Sequence, residues 1–114
     1  MSEKIFMYRR KCILNYEKLF WKFIDRLVAE FEGEVSIVLF GSRGRGNNRE
    51  SSDYDLLVVL RERVNENYLR VLRLKPSTVP MDIIIVGLSE LSNPVLRKML
   101  EQSKVLYDGL NCFQ

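Results

Sequence analysis

Apolar residues recur at helical spacing through the first third of the chain, at Ile13, Phe20, Phe23, Ile24, Leu27, Val28 and Phe31. Lysine, arginine and glutamate take the other side, which predicts an amphipathic helix over residues 10–31 with Gly33 as its C-terminal stop. Trp21, inside the same stretch, is expected in the core. The period then changes. Val35 to Phe40 is short and rich in β-branched residues, so a buried strand is expected. Glycines and asparagines from Gly41 to Asn48 interrupt all periodicity and mark a loop. Asp55 to Leu60 reads as a second strand. Val64, Tyr68, Val71 and Leu72 predict a second amphipathic helix over residues 64–74, ended by Lys75-Pro76-Ser77. Pro80 suits a strand start, where a missing donor is tolerated, and Met81 to Val86 reads as a third buried strand. Ser89 or Asn93, with Pro94 at a first helical position, opens a last helix to about Gln102. Lys104 to Tyr107 adds a short closing strand.

The order helix, strand, strand, helix, strand, helix predicts a small α/β (α+β) sandwich, a mixed sheet with helices packed mainly on one face. At 114 residues, one domain over 1–114 is expected. Eighteen lysines and arginines against fifteen acids leave a net charge of +3. The arginines are scattered over Arg9-Arg10, the 43–49 loop, 61–73 and Arg97, with no basic stripe interleaved with aromatics. That spread disfavours direct nucleic-acid binding. No apolar run approaches the ~20 residues of a membrane span, and Met1-Ser2-Glu3-Lys4 leads into an amphipathic segment, not a signal core. A cytoplasmic protein is expected, with self-association left open. Cys12 and Cys112 match no metal spacing and are expected reduced. Histidine is absent, which excludes Ser-His-Asp and Cys-His catalysis and any histidine-bound metal. A metal here must be hard and oxygen-bound.

Candidate chemistry gathers at three strand ends. Phe40-Gly41-Ser42-Arg43-Gly44-Arg45-Gly46 is a strand leading into a glycine-serine turn. Such a turn exposes backbone N–H groups to an anion, and the Ser42 hydroxyl adds a donor. Arg43 and Arg45 are near enough to neutralise a polyphosphate, and the sequence does not decide which points inward. No Gly-Lys-Ser/Thr follows, so this is not a Walker A loop. Asp53 and Asp55 open the next strand on one face, with Tyr54 and Leu56 on the other. Tyr54 is expected to pack on the back of the sheet. Two aspartates on one strand face repel, a cost a cation between them removes. Asp82, at the start of another apolar strand, completes the site if the two strands are neighbours. Ser51 and Ser52 fit the turn, with Ser52 a further phosphate contact. A plain glycine-rich loop and a solvated strand entrance explain each feature alone. Their joint occurrence favours two-metal phosphoryl chemistry on a nucleoside triphosphate.

Three segments carry a resemblance: Leu39-Phe40-Gly41-Ser42-Arg43-Gly44-Arg45-Gly46, Ser52-Asp53-Tyr54-Asp55-Leu56-Leu57-Val58 and Met81-Asp82-Ile83-Ile84. Together with the closing Val105-Leu106-Tyr107-Asp108-Gly109, they resemble the minimal nucleotidyltransferases of the DNA polymerase β-like superfamily. Gly44, where members often carry alanine, is a mild departure. The resemblance implies a polymerase β-like fold and Mg²⁺, as two ions, on Asp53, Asp55 and Asp82. It also implies ATP or another triphosphate at Gly41 and Ser42, with Asp82 nearest the acceptor hydroxyl. Relatives commonly form toxin–antitoxin pairs with a HEPN-domain protein. The resemblance thus implies an antitoxin that AMPylates a HEPN toxin. Two alternatives stand beside it, an antitoxin acting by binding alone and nucleotidyl transfer to a small molecule or RNA.

Overall fold

The apolar runs form four strands, β1 (Val35–Phe40), β2 (Tyr54–Leu60), β3 (Met81–Gly87) and β4 (Lys104–Asp108), in one sheet of order β3-β2-β1-β4. The computed structural model describes residues 2–41 and 54–113, with side chains from residue 16 onward. β1 is antiparallel to both β2 and β4, whereas β2 and β3 run parallel. A parallel pair needs a crossover, and α2 (Asn65–Leu74) supplies it. The other helices are α1 (Ser2–Glu30) and α3 (Pro94–Met99), the latter preceded by a 3₁₀ turn over Leu88–Ser92.

The two interior strands are apolar at nearly every position because they are covered on both faces. On one face Val35, Ile37, Leu39, Tyr54, Leu56, Val58 and Leu60 meet Phe20, Phe23, Ile24 and Leu27 of α1 and Val71 of α2. On the other, Val38, Leu57, Val59 and Val86 lie under Leu88, Leu91, Leu96 and Leu100 and the C-terminal Leu110 and Phe113. The two longer helices therefore share one face, and short segments close the other. Each fully buried leucine or valine contributes about 1.5–3 kcal/mol over its exposed state.

Helix α1 begins at Ser2, eight residues earlier than the periodicity predicts, and stops where expected. Glu32 and Gly33 turn left-handed, with φ of 53° and 81°, and the Gly33 N–H donates to the Val28 carbonyl at 2.8 Å. Trp21 is not in the core. It is 46% exposed, because Phe20, Phe23, Ile24 and Leu27 form the inward stripe and residue 21 lies a quarter-turn off it. Its ring stands edge-on to Phe20, with centroids 5.3 Å apart. The expected inner face of α2 also changes. Val71 is buried and Leu74 half-buried, while Val64, Tyr68 and Leu72 are exposed. Asn93, not Ser89, caps the last helix, its Oδ1 accepting from the Val95 N–H at 2.9 Å. That helix ends at Met99, short of Gln102. No described helix is long and apolar enough to cross a membrane.

Ser36 is the buried polar side chain among the described residues, wholly inaccessible within β1. Its hydroxyl donates to Asp108 Oδ1 at 2.8 Å and accepts from the Leu110 N–H at 3.2 Å. Asp108 also accepts from the N–H groups of Cys112 at 3.0 Å and Phe113 at 3.2 Å. This clasp fixes the C-terminal segment over the second core. Burial raises the Asp108 pKa, but the donors from Ser36, Cys112 and Phe113 outweigh it and hold the carboxyl below its usual range. A depressed native pKa gives stability that is complete above the unfolded carboxylate value, near pH 4, and lost as pH falls through the native one. Asp108→Asn is therefore expected to lower stability at pH 7 by about 1 kcal/mol, a deficit that shrinks below about pH 4. Urea midpoints of both proteins at pH 7 and pH 3 check it.

Candidate functional site

The C-terminal end of β1 and the N-terminal ends of β2 and β3 meet at one end of the sheet. In the ladder Asp55 stands opposite Phe40 of β1 on one side and Asp82 of β3 on the other. Side chains alternate along each strand. Tyr54 and Leu56 belong to the α1 face, so Asp55 shares the opposite face with Leu57 and Val59. Met81, Ile83 and Ile85 likewise face α1, and Asp82 lies with Ile84 and Val86. The parallel pairing thus sets two carboxylates on one face of adjacent strands, about 5 Å apart at the backbone. Asp55 is half-buried and Asp82 exposed.

Gly41 follows directly on β1 with φ of 69°, a left-handed conformation that glycine alone adopts without strain. It is also a close approach. A Cβ at this position would run into the Asp55 carboxylate and lie 3.1 Å from its Cγ. The turn and the carboxylate are therefore in contact range, with no room for a larger residue between them. Behind them Tyr54 is buried, stacked on Phe20 with ring centroids 4.1 Å apart and planes 13° apart. Its N–H donates to the Pro80 carbonyl at 3.1 Å. This anchors the start of β2 both to α1 and to the segment entering β3, and so fixes the backbone that carries Asp55 and Asp82.

Of the residues singled out in the sequence, the structure places Gly41, Asp55 and Asp82 together. Ser42, Arg43, Arg45, Ser52 and Asp53 lie outside the described residues. Among the described residues no three metal-ligating side chains cluster. Asp55 and Asp82 form an oxygen-only pair of hard donors, the kind that suits Mg²⁺. The supporting contacts of Phe20 and Pro80 were not picked out from sequence; the signal for Phe20 was its place on the inward stripe facing β2. A separate groove of about 440 Å³ lies at the far end of the sheet, lined by Glu30, Phe31, Leu60 and Arg70 among others. Arg70 fills part of it, 4.4 Å over the Phe31 ring and bonded through Nε to Glu30 at 2.8 Å.

Over 47 residues the chain is 40% identical to a candidate protein adenylyltransferase of Methanocaldococcus jannaschii. That match covers 40% of this chain and 47% of the relative, about half of its length. A candidate nucleotidyltransferase from Sulfolobus solfataricus superposes with a TM-score of 0.59 at 20% identity, covering 83% of this chain and 82% of that one, and shares the fold. A toxin–antitoxin structure with AMP-PNP gives a TM-score of 0.53 at 25% identity, over 75% of this chain and 71% of that one. The family described as polymerase beta nucleotidyltransferase matches residues 23–109, spanning both carboxylate strands and the Gly41 turn, and the chain belongs to that family.

Proposed function

We propose that this nucleotidyltransferase uses a divalent metal to transfer AMP from ATP to a hydroxyl of a partner protein. On this reading it is the antitoxin of a toxin–antitoxin pair whose toxin carries a HEPN domain. The observation that carries the reading is the register of Asp55 with Asp82 beside the Gly41 turn. Two like charges on one sheet face repel, and a hard cation between them removes that cost. The adenylyltransferase name of the Methanocaldococcus relative and the AMP-PNP of the toxin–antitoxin neighbour support the choice of nucleotide and of a protein acceptor.

Asp53, Asp55 and Asp82 would hold Mg²⁺, as two ions, which when bound neutralise the triphosphate and make the acceptor hydroxyl more acidic. Gly41 and Ser42 hold the triphosphate through backbone N–H and hydroxyl donors, with Arg43, Arg45 and Ser52 as further contacts. Asp82, the exposed member of the described pair, faces the incoming acceptor and takes its proton. The acceptor oxygen bonds to the α-phosphorus as the bond to the bridging oxygen breaks, and pyrophosphate leaves with the electron pair. Asp55, fixed from behind by the Tyr54–Phe20 stack, keeps its position through the step.

With α-labelled ATP, Mg²⁺ and the proposed HEPN-domain partner, the protein is expected to label that partner. Asp55→Asn and Asp82→Asn should each reduce labelling at least about 100-fold while the fold persists, the scale of losing several kcal/mol of charge stabilisation. Label on RNA or a small molecule instead would reassign the acceptor. Toxin neutralised equally by both variants, with no label anywhere, would sink the catalytic reading in favour of binding alone. Chelation of divalent ions by EDTA should abolish labelling, and added Mg²⁺ should restore it.

Gly41→Ala tests the turn separately. A methyl group at a left-handed residue costs about 1–2 kcal/mol, and here it also displaces the Asp55 carboxylate. Labelling should fall at least about tenfold, with a lower melting temperature. Unchanged activity and stability would mean that the turn does not set the carboxylate's position.

A further inference from the structure

Helix α2 carries more apolar surface than the sheet uses. Val71 is fully buried and Leu74 packs against the core, whereas Tyr68, Leu69 and Leu72 are 44%, 51% and 38% exposed. Val64, just before the helix, is 45% exposed. At 100° per residue, Tyr68, Leu72 and Leu69 form one stripe about 100° wide, its centre turned about 110° from Val71. Single exposed apolar side chains are ordinary on a protein surface, but a contiguous helical stripe is the mark of an interface.

The charges beside the stripe indicate what covers it. Glu66 lies in the first turn of α2 and Arg73 in the last, seven residues apart and so on the same flank. Neither has an ion-pair partner among the described residues, unlike Arg70, which is held by Glu30. An acid at one end and a base at the other make the flank complementary to itself in antiparallel orientation. Two copies of α2 crossing between Leu69 and Arg70 set Glu66 of each copy opposite Arg73 of the other. The helix dipoles also oppose favourably in that arrangement.

We propose that α2 is the two-fold interface of a homodimer of this chain, with Tyr68, Leu69 and Leu72 at its centre and two Glu66–Arg73 pairs at its rim. A two-fold axis makes one patch serve both subunits, so each contact occurs twice. The helix is only about 15 Å long, so the interface is smaller than that of a tight complex and the dimer dissociates readily. The α2 side of the sheet is opposite the face of Asp55 and Asp82, so pairing leaves the carboxylates open.

Sedimentation equilibrium of the full chain from about 1 µM to about 1 mM covers the interval where interfaces of this size dissociate. The wild type should show a monomer–dimer equilibrium. Leu69→Glu, at an exposed position that leaves the core intact, should weaken dimerisation at least about tenfold, with an unchanged melting temperature at dilutions where the wild type is monomeric. Glu66→Arg and Arg73→Glu should each weaken it, and the double swap should recover an affinity near that of the wild type. Recovery in the double swap is particular to antiparallel pairing. A wild type monomeric throughout would overturn the proposal. So would a dimer indifferent to Leu69→Glu, a double swap no better than its singles, or a different protein on α2 with this chain still monomeric.

Discussion

The double burial of β2 is the constraint on which the rest of the molecule depends. A strand with its neighbours on both edges and a core on both faces can carry a charge only where one of those covers ends. Leu56 to Leu60 meet that condition with an unbroken apolar run, every residue nearly inaccessible. Asp55 sits one residue before the run, at the strand's open end, where a carboxylate can reach both the core's rim and whatever approaches from outside. The pairing of β2 with β3 then brings Asp82 alongside, again as the last polar position before an apolar run. The site is thus a boundary feature of the sheet, created by the place where burial stops.

Rigidity at that boundary comes from three different kinds of contact. Gly41 supplies a steric one, since its missing side chain is the space the Asp55 carboxylate occupies. Tyr54 supplies an aromatic one, its ring held flat against Phe20. The bond from the Tyr54 N–H to Pro80 ties the starts of β2 and β3 directly. The last two hold the backbone beside the carboxylates, and Gly41 leaves room for the Asp55 carboxylate itself. Preorganisation of this kind matters for phosphoryl transfer, where positioning and electrostatics account for most of the rate.

Much of this was legible in the residues, and the exceptions share a cause. The β1, β2 and β3 runs read correctly because double burial leaves a continuous apolar signature needing no partner to recognise. The glycine at the end of α1 was equally plain, its left-handed backbone being a local property. Trp21 and the face of α2 misread because periodicity says that residues are apolar, whereas the wheel position relative to a particular sheet says which are inside. In α2 apolar residues span well over half the wheel, and the packing of the helix on the sheet and α1 selects Val71. The match of Asp55 with Asp82 depended on β2 and β3 pairing in parallel, which no short-range pattern encodes. The Ser36–Asp108 clasp joins residues 72 apart, and a serine within an apolar strand gives no sign of its partner.

That clasp has a consequence for how the molecule is made. β1 needs β4 to cover its outer edge, and β4 lies almost seventy residues downstream. A ribosome delivers β1 long before β4, so the nascent chain carries an apolar strand with an unpaired row of N–H and C=O groups until β4 emerges. The β1–β2 hairpin and the α2 crossover can settle earlier, since their partners are closer in sequence. Synthesis therefore leaves one open edge in waiting, and the buried hydroxyl of Ser36, poised on that edge, finds its carboxylate only once β4 is in place.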